Sequence, residues 1–204
     1  MTYKTWAEAK MFENPFSHAR YLVRKQFLKL FGGAFRIYDP YGNLAFFADM
    51  KAFRLREDIR LYSNEAKTEE VLTITARNIL DISATYDVFD PRTQEKVGAL
   101  RRKGIKSIIK DEWIILDSLD QEVGYIREDS LMMALLRRFL TNLIPQRFDG
   151  TIHSMPVFRF SQHFDPFVLK LDLDFSPDIN NLLDRRIGIA AAVLLCAIEG
   201  RQNN

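Results

Sequence analysis

The run Arg101-Arg-Lys-Gly-Ile-Lys-Ser-Ile-Ile-Lys110 places five basic side chains, Arg101, Arg102, Lys103, Lys106 and Lys110, within ten residues, with Ile105, Ile108 and Ile109 among them. Such a run can seat an anionic lipid head group, each basic residue near a charged membrane surface contributing about 1 kcal/mol. It also suits a solvated strand and turn at a barrel edge, where Lys and Arg discourage sheet-to-sheet aggregation. Arg54, Arg56 and Arg60 form a sparser basic set that joins the first only if the fold brings the two together. Asp172 and Asp174 are two outward carboxylates on a strand, whereas calcium takes six to eight oxygen ligands, and no run of alternating acids around a glycine is present. They read as solvated carboxylates, and no metal is expected. His18, His153 and His163 lack metal-ligand spacing, and Cys196 reads as an inert core residue. Without a Gly-x-Ser-x-Gly elbow, a phosphate-binding P-loop or a dinucleotide glycine fingerprint, the expectation is a non-enzymatic protein with no cofactor.

Composition narrows the class further. The chain has 204 residues, 47% of them hydrophobic and 27% charged, as in ordinary globular proteins, and no Pro/Gly/Ser-rich linker divides it. Lys and Arg exceed Asp and Glu by only 29 to 27, so an anionic partner must be held by local clusters; no nucleic-acid partner is expected. One cysteine excludes an intrachain disulfide and a multi-cysteine zinc site. The N-terminal residues lack the apolar region of a secretory signal, so a cytoplasmic location is expected, with peripheral membrane contact under the lipid reading.

These side chains must be positioned by a recurring unit: an alternating strand, an aromatic or aliphatic residue followed by Asp, a polar turn, and a returning strand. Three copies are clear, at 35–47, 86–100 and 113–126, and a looser hairpin joins 58–62 to 71–75. Their β-branched and aromatic content predicts an antiparallel meander. Residues 167–175 alternate, with Phe167, Leu169, Leu171, Leu173 and Phe175 on one face and Lys170, Asp172 and Asp174 on the other. Helical spacing of Leu131, Met132, Leu135, Leu136, Phe139, Leu140 and Leu143 predicts a helix over 130–143, bearing Arg137 and Arg138. That helix either caps a barrel end or docks on a membrane interface or a partner.

Residues 187–198 contain no polar side chain. As a helix they rise roughly 18 Å, short of the ~30 Å hydrocarbon core, so a buried helix rather than a transmembrane one is expected, over about 177–199 with Ser176 as N-cap. A helix apolar on every face needs walls on every face. A barrel of about eight strands is filled by its own side chains, so a wider one is needed; eleven-stranded cans with a central helix are the precedent, and the hairpins here allow about ten to twelve strands. Gly188, Ala190, Ala191, Ala192 and Ala197 keep the helix thin.

Tyr21-Leu-Val-Arg-Lys-Gln-Phe27, Phe35-Arg-Ile-Tyr-Asp-Pro-Tyr-Gly-Asn43, the repeated hairpins and the terminal apolar helix resemble the LURP-one-related proteins. These belong with the tubby C-terminal and phospholipid scramblase domains. The resemblance covers roughly residues 20–200 and rests on order and pattern rather than a catalytic motif. It implies a mainly β, tubby C-terminal-like fold: a closed antiparallel barrel of about twelve strands enclosing a hydrophobic C-terminal central helix. The expected organisation is an arm over 1–16 and one barrel domain over 17–204. The expected function is binding of anionic phospholipid, phosphoinositide-like, through the basic residues at 101–110; the alternative is a structural or protein-interaction module using helix 130–143.

Overall fold

In a computed structural model the chain is described for residues 14–26, 33–50, 59–77, 84–103, 112–128, 147–163 and 168–202. Twelve strands follow one another: β1 (Arg20–Gln26), β2 (Gly33–Tyr38), β3 (Leu44–Met50), β4 (Ile59–Tyr62), β5 (Glu70–Ala76), β6 (Thr85–Asp90), β7 (Glu95–Arg102), β8 (Glu112–Leu116), β9 (Glu122–Glu128), β10 (Arg147–Ile152), β11 (Met155–His163) and β12 (Val168–Asp174). Each pairs antiparallel with its sequence neighbours, and β12 closes on β1 from Arg20↔Asp174 to Gln26↔Val168. A closed sheet has no free edge to pair with another chain.

Inside runs one helix, α1 (Arg185–Gln202). Every residue from 187 to 197 is buried, against a lumen-facing set that includes Phe35, Phe46, Leu72, Leu100, Trp113, Phe158, Phe160 and Leu173. The expected barrel with its central helix is therefore the fold. No helix among the described residues is long and apolar enough to cross a membrane.

The recurring Asp is a turn cap. Asp39 Oδ1 accepts the Tyr41 and Asn43 N–H groups at 2.9 and 2.8 Å, and Asp117 Oδ1 accepts those of Leu119 and Gln121, both at 2.9 Å. In each loop a residue three positions after the Asp has positive φ, Gly42 at 82° and Asp120 at 65°, and the register shifts by one at the loop base. This is a hairpin loop whose left-handed residue produces a bulge. At β6–β7 the same role falls to Asp90, which accepts Arg92 N–H at 2.9 Å.

Two elements differ from the sequence expectation. The hairpin of β10 and β11 carries no Asp-turn unit; it reverses at His153-Ser154, both with positive φ (47° and 69°), where Asn or Gly is the usual signal. The helix starts at Arg185, not near 177. Asp178 accepts the Leu182 and Leu183 N–H groups at 2.8 and 3.0 Å, which folds 176–184 into turns, and Asn181 at φ 50° cannot continue a helix. Asp184 is the N-cap instead, its Oδ1 accepting Arg186 N–H at 3.0 Å. The arm expected over 1–16 is anchored at its end, where Phe16 is buried with its ring 4.6 Å from that of Phe46. The helix expected over 130–143 lies outside the described residues.

A Cβ at Gly188 would run into the ring of Phe175, itself 2% exposed and unable to yield. Gly188→Ala should therefore lower stability by about 1–3 kcal/mol despite alanine's better helix propensity. A thermal melt with a midpoint at or above wild type would contradict this packing.

Candidate functional site

Because α1 fills the lumen, a ligand must be held on the outer wall or at the barrel ends. Strand alternation decides which side chains reach that wall. In β7 it splits the basic run. Arg101 is in register with Ile114 on the outer face, whereas Arg102 has the lumen-facing parity of Leu100 and is in register with Trp113, 2% exposed. Adjacent residues of a strand cannot make one patch.

The two outward members are occupied. Arg101 on β7 pairs with Glu122 on β9, reaching across β8 over Ala99, Ile114 and Leu116, an apolar cluster on the outer wall that is 0%, 7% and 2% exposed. Lys103 Nζ and Arg127 Nη2 lie 3.4 and 3.1 Å from Glu112 Oε1, and the Arg127 guanidinium sits 4.7 Å from the Tyr125 ring centroid. Lys106 and Lys110 lie outside the described residues, as do Arg54 and Arg56. Arg60 of β4 pairs with Glu70 of β5 at 3.1 Å, and β5 and β6 separate β4 from β7, so this second basic set does not join the first among the described residues.

A different set of cations does converge. On the outer wall Arg36 of β2 is in register with Arg24 of β1, Arg24 with Lys170 of β12, and Lys170 with His163 of β11. Four basic or titratable side chains thus stand in one row across four adjacent strands, spaced by the ~4.8 Å between strands. Arg36 Nε is 2.7 Å from Glu65 Oε1, whose carboxyl this hydrogen bond holds below its ordinary range. His163 Nε2 is 2.5 Å from Asp172 Oδ2. Arg24 is exposed, has no ion-pair partner among the described residues, and has its guanidinium 5.9 Å from the Tyr38 ring centroid.

Beside this row is a groove of about 710 Å³ whose lining includes Arg20, Arg24, Tyr38, Arg159, Ser161 and Asp172. Arg20 pairs with Asp174 at 3.4 Å and Arg159 with Asp149 at 2.8 Å. Burial raises the Asp174 carboxyl, but hydrogen bonds from Ser176 and the charge of Arg20 outweigh it, leaving the group below the usual range. Asp172 and Asp174 are thus committed to cross-strand and turn partners, and no cluster of three His, Cys, Asp or Glu among the described residues could hold a metal ion. The three histidines are dispersed, just before β1, in the β10–β11 turn and on β11; Cys196 is buried in α1.

A second cavity, about 970 Å³, opens where α1 enters the barrel. Its arginines are matched internally: Arg92 and Arg186 share Asp90, Arg186 also reaches Glu95 and Asp184, and Arg185 donates to the Ser17 carbonyl.

No family model, no curated protein and no solved structure matches the chain.

Proposed function

We propose that this chain is a non-enzymatic barrel of the LURP-one-related, tubby-like kind that binds anionic phospholipid, phosphoinositide-like, at a membrane surface from the cytoplasmic side. The observation that carries the reading is the row Arg36–Arg24–Lys170–His163. Like charges directly opposite one another on neighbouring strands are destabilising, yet Arg24 faces Arg36 on one side and Lys170 on the other. A phosphate-bearing head group would relieve that repulsion, and Tyr38 and Leu22 beside the row offer an apolar floor for the adjoining glycerol or acyl carbons. Head-group contact is assigned to this row in preference to 101–110, because Arg101 and Lys103 already hold carboxylates and Arg102 has the opposite parity. A protein-binding role through 130–143 is the second reading.

At about 1 kcal/mol per basic residue near the surface, neutralising one weakens binding roughly fivefold. Arg24→Glu with Lys170→Glu should reduce sedimentation with phosphatidylserine or phosphoinositide vesicles by more than tenfold. Added salt should weaken wild-type binding. Arg101→Glu with Arg102→Glu and Lys103→Glu should weaken it less. Absence of salt-sensitive binding to acidic vesicles by the wild-type protein would remove the lipid reading.

A further inference from the structure

All the large hydrophobic side chains that stand exposed among the described residues lie at one end of the barrel. They are Tyr41, Leu119 and Ile179, at 81%, 76% and 84% exposure, with Met155 and Leu182 less so. In an up-and-down meander the β2–β3, β8–β9 and β10–β11 connections and the segment from β12 into α1 all emerge together. They are also neighbours around the rim. Asn180 Nδ2 is 4.0 Å from Met155 Sδ, His153 N–H donates to Val123 C=O at the foot of the next hairpin, and the His18 ring beside β1 is 6.0 Å from that of Tyr41. The opposite arc, at the β4–β5 and β6–β7 loops, displays Lys67, Glu69, Arg92 and Gln94 instead.

These apolar tips are held on fixed backbone. The carboxylates of Asp39, Asp117 and Asp178 each take two backbone N–H groups in the very loops that present Tyr41, Leu119 and Leu182. None of the three carboxylates has an ion-pair partner among the described residues; of the nearby cations Arg20 is paired with Asp174, whereas Arg185, on the Ser17 carbonyl and over the Phe175 ring, keeps its charge, so the three carboxylates outnumber it. The arc therefore combines exposed apolar area with an excess of negative charge. An anionic bilayer or a second copy of the same arc would meet like charge; an apolar strip edged with Lys or Arg would meet its complement. Preset loops also lower the ordering cost of binding.

We infer that this rim is a docking surface for a protein partner that presents an amphipathic segment with apolar side chains flanked by Lys or Arg. The inference is independent of the lipid reading, which concerns the outer wall. Its test uses the whole ¹⁵N-labelled chain and three synthetic helical peptides of equal length: Leu with Lys, the same Leu pattern with Glu, and Ser with Lys. The Leu/Lys peptide should shift, saturably, the amides of 39–43, 117–121, 153–155 and 176–184. The other two should bind at least tenfold more weakly. Leu119→Ser with Ile179→Ser should weaken the Leu/Lys peptide at least tenfold without moving the thermal midpoint, and Tyr41→Ser provides a second variant. Equal binding of the Leu/Glu peptide, no saturable binding of the Leu/Lys peptide, or shifts centred on Arg24 and Lys170 overturns the inference. It is also overturned if the same rim amides respond to phosphatidylserine vesicles, which would make the rim a membrane face. Self-association that Leu119→Ser with Ile179→Ser abolishes would make it a dimer interface and overturn it as well.

Discussion

Val193→Asp should abolish the folded state. Val193 is 0% exposed at the middle of α1, between Ala192 at 0% and Leu194 at 1%, with the barrel wall on every side. The substitution forfeits the burial of the valine, about 1.5–3 kcal/mol, and puts in its place a carboxyl group with no partner, at several kcal/mol more. A domain of this size has only about 5–15 kcal/mol to lose, and the helix cannot swing the new group to water because it is enclosed around its whole circumference. The expected result is insoluble protein, or soluble protein without a cooperative melt by circular dichroism. Val193→Ala serves as the graded control: two methyl groups and a small cavity cost about 2 kcal/mol, or roughly 4–8 °C in midpoint, with cooperativity kept. If 187–198 were instead a short membrane anchor, Val193→Asp would release a folded protein from membranes. A soluble Val193→Asp variant with a cooperative melt would sink the central-helix account.

That account was legible in the sequence because it depends on one contiguous property, twelve residues without a polar side chain, too short for a bilayer. The hairpins of β2–β3, β6–β7 and β8–β9 were legible for a similar reason: the Asp that caps each turn and the strands it joins lie within about fifteen residues. The hairpin of β10–β11 was not, because His153 and Ser154 adopt left-handed conformations that neither residue type advertises. The helix start was misplaced since Ser176-Pro177-Asp178 has the composition of an N-terminus while its carboxylate closes a turn. The cation row lay further from view. Alternation within β1 and β12 shows that Arg24 and Lys170 point outward, but that they are neighbours follows only from the closure of β12 on β1, which joins positions 146 residues apart in one register. Arg101 and Arg102 had the opposite fate: conspicuous as neighbours in the string, they are divided by the same alternation between the outer wall and the lumen side.

Among the described charged residues, Asp90→Ala should be the most damaging substitution to alanine. Asp90 is 0% exposed at the end of β6, and its Oδ2 accepts Arg92 Nη2 at 2.8 Å and Arg186 Nη1 at 3.0 Å. Arg186 also reaches Glu95 Oε1 at 2.6 Å, so the second residue of α1 is tied to both strands of the β6–β7 hairpin. This pins the mouth end of the helix to the wall. Removing one partner of a buried ion pair costs about 3–5 kcal/mol; because Arg186 keeps Glu95 and Asp184, the low end, about 3 kcal/mol, is expected, or roughly 6–12 °C in midpoint. Asp90→Asn keeps an acceptor for Arg92 N–H and should cost less. Burial raises the Asp90 carboxyl, but the hydrogen bonds from Arg92 and then Arg186 outweigh it, and the group is held below the ordinary carboxylate range. A carboxyl depressed in the folded state contributes stability above its unfolded value, about 3.9, and loses it as pH falls through the folded value. The midpoint difference between wild type and Asp90→Asn should therefore be full at pH 7 and shrink on acidification below about pH 4. Asp39, Asp87, Asp120 and Asp174 are depressed as well and lower both melts together, which is why the difference is the quantity to follow. A difference that stays constant down to about pH 2 would show that the Asp90 charge does not anchor the helix.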